Sequence, residues 1–561
     1  MVDLVLESVM KIFIQFLIFL NFLSGSLCVS INYDQKNSFD EIKRNLLNNN
    51  NATKQLLSEK ELKLIRFISY LTYMQTTGTN LTWKGWEKNY DGSQLDLDAI
   101  RYPLAHIGYT AAALAHRTPN YRELAIKILK DTIERMLKIE VWGYIDHYWK
   151  KAATFPDPVS YENIMYSGHL LQLLTLYESI SGDFRYDTDG FDFLWNKTDY
   201  PITKIHYTTT KLAYAIYDQM NEESSAGVSC EPGWIYTICQ NHPHLGFRLY
   251  DLVHNNSRKF SQISSKWKEY LKTHALEDIP LYKKDRYFKM LYQRETHIWV
   301  PFFASTGNDG WNLAWMSSWF DYNETSNFIC DGWKIMYNNQ YWKPSENSTL
   351  PGCFLDSGGY IGVRMQLNSW VATSFYPVVE KQCSIEATEK LNCTYSWFEN
   401  NFGTLLDTDN DHYFESYYYE TNTFYSNWVT SNILLSLLMG ENGYNTRSFL
   451  RTIYNSKFYE KFLNNEPEVL LVEYPSIRVT RAQYDSSTKS LLINFNTEKP
   501  MILSTIFQIK YPNSLLSISN ITRDNYSDGF TVNQISNVII EIQYTYNTID
   551  KQETEFNILF H

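Results

Sequence analysis

Apolar residues recur at helical spacing along most of the chain between residues 58 and 465. The clearest stretches are LSEKELKLIRFISYLTYMQ, YRELAIKILKDTIERMLKIE, NIMYSGHLLQLLTLYESISGD, KLAYAIYDQM, LGFRLYDLVHNN and NWVTSNILLSLLMGENGY. The third stretch ends at Gly182, where a helix C-terminal glycine is expected. A simple helical bundle seldom extends over about 400 residues. The chain has no fixed-period repeat, which argues against a helical solenoid. The pattern therefore predicts a mainly α protein, an α/α toroid of the six-hairpin type over residues 58–465.

The pattern changes to alternating, β-branched segments after residue 465. These segments are VLLVEYPSIRVTRAQYD, KSLLINFNTEK, TIFQIKYP and NVIIEIQYTYNTID, and turn signals separate them. Such spacing predicts a small β-sandwich over residues 466–561. No residue trio in it has a catalytic pattern, so its expected role is packing on the helical domain, with carbohydrate binding as a weaker alternative.

The N-terminus has the order of a secretory signal peptide, predicted over residues 1–28. Lys11 precedes the apolar run Ile12–Leu23, and small residues follow it. Met10 is a better start than Met1 for this arrangement. The apolar run is short for a membrane span, so cleavage is favoured over an uncleaved anchor. A secreted or endomembrane-lumen protein without stable membrane insertion is expected, with an Asn-rich mobile segment at 29–57.

In an exported protein, sequons can be glycosylated and cysteines can form disulfides. N-x-S/T sequons occur at Asn51, Asn80, Asn196, Asn255, Asn323, Asn347, Asn392, Asn520 and Asn525. Six cysteines follow the predicted leader: Cys230, Cys239, Cys330, Cys353, Cys383 and Cys393. Proximity in sequence favours the pairs Cys330–Cys353 and Cys383–Cys393, although fifteen connectivities are open.

Composition narrows the class of partner. Aromatic residues make up 16% of the 561 residues, which favours a large core or an aromatic-lined cavity. The net charge is −12, and the chain has no basic stripe or nucleic-acid motif. A nucleic-acid partner is therefore not expected.

The stretch GVSCEPGWIYTICQNHPH contains Cys230 and Cys239, nine residues apart. This spacing, even with His242 and His244 after it, matches no common zinc pattern, so no metal is expected. A structural disulfide is the main alternative. A helix is predicted to begin just after Cys230.

The same stretch raises a question of geometry. On an uninterrupted helix nine steps would place the two thiols on opposite faces. The Pro232–Gly233 break therefore decides whether they converge.

Two further stretches carry candidate chemistry. In QLDLDAIRYPLAHIGY, Asp96 and Asp98 precede Tyr102, and the step into Pro103 predicts a turn before a helix that begins at Pro103. The simpler interpretation of these acids is a favourable charge at a helix N-terminus.

The second stretch is DPVSYENIMYSGHL, where His169 lies within a strongly apolar helix. Such a histidine is commonly a core residue. Ser167 and Gly168 beside it, however, predict open space next to the imidazole.

Together these stretches resemble the linalool dehydratase/isomerase family. The likeness rests on NIMYSGHLLQLLTLYESISGD, on CEPGWIYTIC and on an Asp-x₅-Tyr pair from Asp96 to Tyr102, and it covers roughly residues 60–465. It implies an α/α toroid with an apolar pocket at one end that dehydrates or isomerises small tertiary or allylic terpene alcohols without a cofactor. It also implies a small hydrophobic substrate and allows a homo-oligomer.

The resemblance assigns the site residues by position. The catalytic candidates are Asp96, Tyr102, His169, Cys230 and Cys239. Asp98, Tyr166 and Glu231 are second-choice or pocket residues.

The hypothesis for their roles follows from the reaction. Loss of a hydroxyl needs an acid at the oxygen and a base at a neighbouring carbon. Asp96, Tyr102 and His169 are expected to handle the hydroxyl, and the two cysteines the migrating proton. An oxidising compartment threatens free thiols, so three interpretations stay open: a redox switch, an active reduced form, or a purely structural disulfide.

Two other classes of function compete with this one. A secreted glycan hydrolase, lyase or epimerase on a toroid would use paired carboxylates, with Asp96, Asp98, Glu231 and Asp309 as candidates. A non-catalytic scaffold or carrier of hydrophobic ligands would place all six cysteines in disulfides.

Overall fold

The computed structural model describes most of the chain after the predicted leader and Asn-rich segment. The described residues are 56–76, 81–86, 99–145, 156–160, 162–196, 202–255, 260–275, 288–300, 306–319, 342–344, 353–355, 368–373, 386–411, 413–420, 426–439, 449–499, 502–512, 518–524, 530–547 and 553–561. Predictions that concern residues 1–55, Asp96, Asp98, Cys330 and Cys383 fall outside these ranges.

Helices dominate the region before residue 465. They are α1 (Glu59–Leu71), α2 (Arg101–Arg117), α3 (Glu123–Met136), α4 (Ile139–Trp142), α5 (Ile164–Ser181), α6 (Arg185–Thr188), α7 (Thr209–Glu222), α8 (Asn241–Val253), α9 (Ser261–His274), α10 (Thr306–Trp319), α11 (Glu386–Phe402), α12 (Ser426–Leu438), α13 (Phe449–Asn455) and α14 (Glu460–Asn464). Residues 368–373 are also helical.

An inner ring of helices forms the centre of this region. Helix α2 packs against α5 and α12, α5 packs against α8, and α8 packs against α10. The helical residues 368–373 close the ring, because Val371 lies against Gly310 of α10 and Ser369 accepts a hydrogen bond from Asn432 of α12 at 3.2 Å. Helices α1, α3, α7 and α9 pack outside the ring, so the predicted α/α toroid is confirmed.

The sequence explains which helices lie inside. Helix α5 is apolar on all sides and almost every residue in it is buried, as expected of a helix surrounded by others. It ends at Gly182, whose φ of 70° is the left-handed value predicted for a C-terminal glycine. Helix α3, by contrast, buries one face and exposes the other, which suits the outer layer.

Helix α2 begins earlier than predicted. It starts at Arg101, so Pro103 is its third residue and not its first. A proline is tolerated there because the N–H groups of the first turn have no partner within the helix. The prediction of a turn before Pro103 was therefore wrong, and Tyr102 lies on the helix itself.

Short strands line the helical region. They are β1 (Phe191–Trp195), β2 (Thr203–Tyr207), β3 (Trp234–Tyr236), β4 (Leu291–Gln293), β5 (Ile298–Trp299), β6 (Trp342–Pro344), β7 (Cys353–Leu355), β8 (Gly403–Leu406) and β9 (Ser416–Tyr419). They form antiparallel hairpins and one three-stranded sheet, β3-β4-β5.

The remainder of the chain forms a β-sandwich. Its strands are β10 (Glu468–Leu470), β11 (Ile477–Asp485), β12 (Ser490–Thr497), β13 (Ile502–Lys510), β14 (Ile518–Arg523), β15 (Phe530–Ser536), β16 (Ile539–Asn547) and β17 (Glu553–Phe560). They make two antiparallel sheets, ordered β10-β13-β16-β15 and β11-β12-β17-β14. Phe507 packs between the sheets, with its ring centroid 4.9 Å from that of Phe495 and 5.3 Å from that of Phe556. The predicted sandwich is confirmed.

The sandwich is bonded tightly to the toroid at the seam, which we define as the contacts of α1 and the α2–α3 connection with the sandwich strands. Asn120 is central to it: its side chain donates to the carbonyl of Pro467 at 2.7 Å and accepts the amide of Tyr484 at 2.8 Å. The backbone carbonyl of Asn120 also accepts the amide of Val469 at 2.7 Å. One loop residue thus bonds two sandwich strands and the segment before them.

Among the described helices, none combines the length and apolarity needed to cross a membrane. The predicted leader lies outside the described residues.

Candidate active site

A group of aromatic rings meets inside the helical ring. Tyr102 of α2 stacks on Trp428 of α12, with centroids 4.7 Å apart. Trp311 of α10 meets Trp428 edge-on at 5.9 Å and Trp370 at 4.7 Å. We call Tyr102, Trp311, Trp370 and Trp428 the aromatic wall. Four elements that are distant in sequence contribute one residue each to it.

Histidines from three inner helices lie beside this wall. The centroids of the His169 and His242 rings are 3.9 Å apart, and the edge of the His169 ring faces Tyr102 at 5.8 Å. His106 also approaches Trp311, at 5.1 Å. Three imidazoles therefore border the aromatic wall.

The hydrogen bonds around His242 fix where its proton lies. Trp311 Nε1 can only donate, and it does so to His242 Nε2 at 2.9 Å. A neutral imidazole then carries its proton on Nδ1, which donates to Gln172 Oε1 at 2.8 Å.

The proton of His169 follows from the same chain of bonds. The Tyr109 hydroxyl lies 3.2 Å from His242 Nδ1, which is protonated, so it donates its own hydrogen to His169 Nδ1 at 2.6 Å. His169 therefore carries its proton on Nε2. No described residue accepts a hydrogen bond from this atom, which leaves a directed donor in the site.

The close approach of α5 and α8 requires a glycine. A Cβ on Gly168 would lie 2.6 Å from Pro243 Cδ, so no larger residue fits without separating the helices. The predicted open space beside His169 was therefore wrong, because Pro243 fills it. What the glycine provides is the short distance between the His169 and His242 rings.

The two cysteines do converge, although not on a helix. Instead of the helix predicted after Cys230, a tight turn returns the chain: Trp234 N donates to Glu231 O at 2.8 Å, and Cys230 N donates to Trp234 O at 2.7 Å. Gly233 takes the left-handed φ of 81° that this turn needs. The break at Pro232–Gly233 thus reverses the chain and allows the convergence.

Gln240 holds the other end of this loop. Its side chain accepts the amide of Val228 at 2.9 Å and donates to the carbonyl of the same residue at 2.8 Å. The amide group therefore imitates a neighbouring strand and keeps the segment with Cys239 beside the segment with Cys230. Both cysteines are buried and free, and their side chains hydrogen-bond to each other.

Burial sets the protonation of these groups. Burial, reinforced by the neighbouring Cys239, raises the pKa of the Cys230 thiol well above its usual value. Burial also raises the pKa of Glu231 to about 7, although the nearby Arg101 guanidinium opposes the shift. At neutral pH the Cys230 thiol is protonated, and Glu231 exchanges between its two forms.

The histidines and Tyr102 respond to burial in the same way. Burial lowers the pKa of His106 to about 3 and lowers the pKa of His169 and of His242 well below the usual value. It raises the pKa of the Tyr102 hydroxyl well above 10. The site therefore presents neutral imidazoles and a protonated phenol.

Arg101 is the buried cation of this group. Its guanidinium lies over the rings of Tyr102 and Tyr144, at 4.7 Å and 4.4 Å from their centroids. Tyr102 and Arg101 both donate to the sulfur of Met165, at 3.2 Å and 3.4 Å. A thioether is a weak acceptor, so a substrate oxygen can displace it from the Tyr102 hydroxyl.

Some predicted site residues lie elsewhere or outside the described ranges. Tyr166 is not brought to the cluster, because its hydroxyl donates to the carbonyl of Met136 on α3 at 2.7 Å. Asp309 is buried with its carboxylate accepting the amide of Phe288 at 2.9 Å. His244 points away from His242 to Ser264 on α9, at 2.9 Å. Asp96 and Asp98 are not among the described residues.

Sequence reasoning missed several members of the site. Arg101, Tyr109, Gln172 and Trp311 carry the hydrogen bonds or ring contacts that orient the predicted residues. Helical spacing held a partial signal: Gln172 follows His169 by three positions and Tyr109 follows Tyr102 by seven, so each pair shares a helix face. Trp311 offered no such signal, because its contact depends on closure of the ring.

The arrangement combines donors for an oxygen with a group that exchanges protons at neutral pH. Tyr102 Oη and His169 Nε2 can donate, Glu231 can give or take a proton, and the aromatic wall can face a developing positive charge. Cys230 precedes Glu231 in sequence, its thiol lies within electrostatic reach of the Glu231 carboxylate, and it hydrogen-bonds to Cys239.

Solved structures with similar architecture act on carbohydrates, by their descriptions. A family 76 glycoside hydrolase from a bovine Bacteroides thetaiotaomicron strain is 10% identical, with a TM-score of 0.40 over 68% of this chain and 77% of that one. An unsaturated glucuronyl hydrolase specific for heparin is 11% identical, with a TM-score of 0.41 over 68% and 95%. A sugar epimerase from a ruminal bacterium is 10% identical, with a TM-score of 0.37 over 68% and 97%. Similarity at this level supports no conclusion about activity.

The family comparison is more specific. The family model described as linalool dehydratase/isomerase matches residues 101–342. That segment contains Tyr102, His169, Cys230, Glu231 and Cys239. It also contains Trp311, His106 and His242. The match confirms, for residues 101–342, the linalool dehydratase/isomerase family that the sequence predicted.

Proposed function

We propose that the protein is a cofactor-independent hydro-lyase/isomerase that acts on a small apolar tertiary or allylic alcohol. The observation that carries the proposal is the convergence on Tyr102 of His169, whose ring lies 5.8 Å away, and of the free Cys230 and Cys239 thiols, which lie within electrostatic reach of the Tyr102 hydroxyl. The family match over residues 101–342 supports the same reaction class.

The substrate hydroxyl is held by the two donors that have weak partners or none. Tyr102 gives up its bond to the Met165 thioether, and His169 Nε2 donates its proton, so both hydrogen bonds point at the oxygen. Asp96, as implied by the family resemblance, would orient Tyr102. The carbon skeleton then packs against the rings of Trp311 and Trp428.

Dehydration needs a proton at the oxygen and a base at an adjacent carbon. The C–O bond breaks as Tyr102 Oη passes its proton to the oxygen, which leaves as water, and the positive charge that develops on carbon faces the aromatic wall. The Glu231 carboxylate then takes a proton from the adjacent carbon, and the electron pair of that C–H bond forms the double bond. Transfer of this proton from Glu231 to the Tyr102 oxygen restores both groups. Isomerisation returns water to the allylic carbon by the reverse steps.

Glu231 and the two thiols are the proposed carriers of the carbon-bound proton. Glu231 has a pKa of about 7, so it is both acid and base at neutral pH. The three imidazoles stay neutral and therefore place no positive charge beside the carbocation-like centre.

The test is turnover of linalool and related alcohols by the purified protein, with alkenes detected by headspace gas chromatography. Tyr102→Phe and Cys230→Ala are each expected to lower kcat by about 10²-fold or more while the protein stays folded. Tyr166→Phe is the matched control: it removes a buried tyrosine hydroxyl outside the cluster and should leave kcat nearly unchanged.

A redox arm tests the role of the thiols. Oxidation that joins Cys230 to Cys239, followed by peptide mapping, should stop turnover, and reductant should restore it. Wild-type rates in Tyr102→Phe and Cys230→Ala would contradict the proposal, as would full activity of the disulfide form.

The glycan alternative needs a pair of carboxylates in the site. Among the described candidates, Asp309 accepts a backbone amide and Glu231 lies beside the thiols. No described pair therefore favours that alternative, and we do not propose it.

A further inference from the structure

An acidic loop connects β8 and β9 on the side of the toroid that faces the sandwich. Its sequence from Asp407 to Glu415 is DTDNDHYFE. Carboxylate oxygens of Asp407, Asp411 and Glu415 all lie within 4.8 Å of one another. None of these residues has a part in the proposed dehydration, and the loop lies outside the segment that the family model matches.

Glu415 supplies a second observation that points to a cation. The residue is fully buried, and its Oε1 accepts the amide of Thr408 at 2.6 Å. Its Oε2 is also buried, yet no described residue donates a hydrogen bond to it. Burial of an unpartnered carboxylate oxygen is destabilising, so a bound cation at this point would be stabilising.

The guanidinium nearest to Glu415 bonds more closely to two other acids. Arg66 donates to Asp409 at 2.9 Å and to Glu498 at 2.6 Å, and it comes no nearer to Glu415 than 4.0 Å. Lys499 contacts Asp411. The short ion pairs of Arg66 are therefore made with Asp409 and Glu498, and its contact with Glu415 is a long one.

The loop backbone holds two of the acids in position. Asp407 Oδ1 accepts the amide of Asp411 at 3.2 Å, and Asp411 Oδ1 accepts the amide of Tyr413 at 3.0 Å. Asp411 is exposed and Asp407 half-buried, so an ion can enter from solvent and still contact the buried Glu415.

We propose that this loop binds one Ca²⁺ ion through the carboxylates of Asp407, Asp411 and Glu415. The donor set contains only oxygen, whereas typical zinc and copper sites include nitrogen or sulfur ligands. Mg²⁺ retains most of its waters and is usually held by one or two carboxylates, whereas Ca²⁺ accepts three from a single loop. The ion would stabilise the contact of the β8–β9 hairpin with the sandwich.

The experiment is a calorimetric titration of the full-length, chelator-treated protein with CaCl2, followed by thermal unfolding with and without the ion. The expected result is one site with a Kd in the range of about 10⁻⁴–10⁻³ M or tighter, and a higher Tm in Ca²⁺. MgCl2 at the same concentration should raise the Tm less.

Three variants locate the site. Glu415→Gln and Asp411→Asn should each weaken Ca²⁺ binding by about tenfold or more, since charge count sets affinity in such loops. Lys499→Met should tighten it, because it removes the ammonium that competes for Asp411. Glu420→Gln, an exposed acid at the far end of the same hairpin, is the control and should bind like wild type.

Each outcome decides the proposal. No binding to the wild-type protein, equal binding to Glu415→Gln and Asp411→Asn, or equal stabilisation by Mg²⁺ would overturn it. Should Glu415→Gln fail to fold, the exposed Asp411→Asn decides alone. The readout is metal binding, so the result is independent of whether the protein dehydrates alcohols.

Discussion

The centre of the toroid and the seam with the sandwich both bury many polar side chains. They reduce the free-energy cost of burying charge in opposite ways. In the centre, the imidazoles, the Tyr102 phenol and the Cys230 thiol are held in their neutral forms by pKa shifts. At the seam the groups stay charged and are paired, as in Arg66 with Glu498 at 2.6 Å and Arg122 with Glu468 at 2.8 Å.

The difference between neutral groups and paired ions indicates where proton transfer can occur. A paired ion is fixed by its partner and cannot easily exchange a proton, because separating the pair leaves an uncompensated buried charge. A neutral buried acid or base can change its protonation when a substrate arrives. The centre is therefore suited to proton transfer, and the seam is suited to holding two domains together.

The largest expected effect breaks the seam. Arg66→Met removes a fully buried guanidinium and leaves Glu498 and Asp409 without their partner. The free energy of unfolding should fall by about 3–5 kcal/mol, measured by urea denaturation in the presence of a chelator.

An exposed ion pair is the control for Arg66→Met. Lys127→Met removes the i,i+4 partner of Glu123, a pair at 2.7 Å whose lysine side chain is 50% exposed. It should cost no more than about 0.5 kcal/mol. Similar losses in the two variants would contradict the contrast between buried and exposed pairs.

The second largest expected effect concerns Glu231, a group in the centre of the toroid that is not held in an ion pair. Glu231 has its pKa raised to about 7 in the folded protein, from about 4.3 in an unfolded chain. Between these values the folded state binds more protons than the unfolded state, so Glu231 lowers stability as the pH rises toward 7. Glu231→Gln should therefore be more stable than wild type by about 1–3 kcal/mol at pH 8 and nearly equal to it at pH 4.

Stability and activity should move in opposite directions in this variant. Under the proposed function, Glu231→Gln also loses the inflection near pH 7 in the kcat profile. Glu222→Gln, an exposed acid at the end of α7, should show neither change. A Glu231→Gln protein that is less stable than wild type at pH 8 would mean that the carboxylate is compensated in the folded state.

The smallest effect tests one neutral hydrogen bond of the centre. Trp311→Phe removes the donor to His242 Nε2, whereas Trp428→Phe removes an indole N–H that no described residue accepts. Both variants lose ring area, so their difference isolates the bond. Trp311→Phe should cost about 1 kcal/mol more in thermal or chemical unfolding, and equal losses would show that the bond contributes nothing.

Much of the fold could be predicted because burial and periodicity coincide. Helix α5 is apolar on every side and ends at a left-handed glycine, so both its existence and its end were readable. Strands β14 and β15 were missed because they are mostly exposed and lack an apolar alternation, and β17 was overlooked although every second residue in it is buried.

The candidate site was predictable in its residue types and less so in its geometry. Cys230 and Cys239 could be identified from sequence, but their convergence depends on a turn at Gly233 and on the Gln240 amide. The proline at position 103 does not mark the start of α2, because the first turn of a helix tolerates it. Trp311 is brought to the site by closure of the ring of helices, which no local sequence pattern predicts.

The seam joins parts of the chain that are made at very different times. Glu59, the first residue of α1, bonds to Arg478 across 419 positions, and Leu57 N donates to Thr480 O. At about 5–20 residues per second, a ribosome needs roughly 20–80 s to supply the second partner after the first. During that interval α1 and the buried guanidinium of Arg66 lack their final contacts. Completion of the seam thus belongs to the last stage of biosynthesis, and in a nascent chain stalled before residue 478 Glu59 and Leu57 stay without these partners.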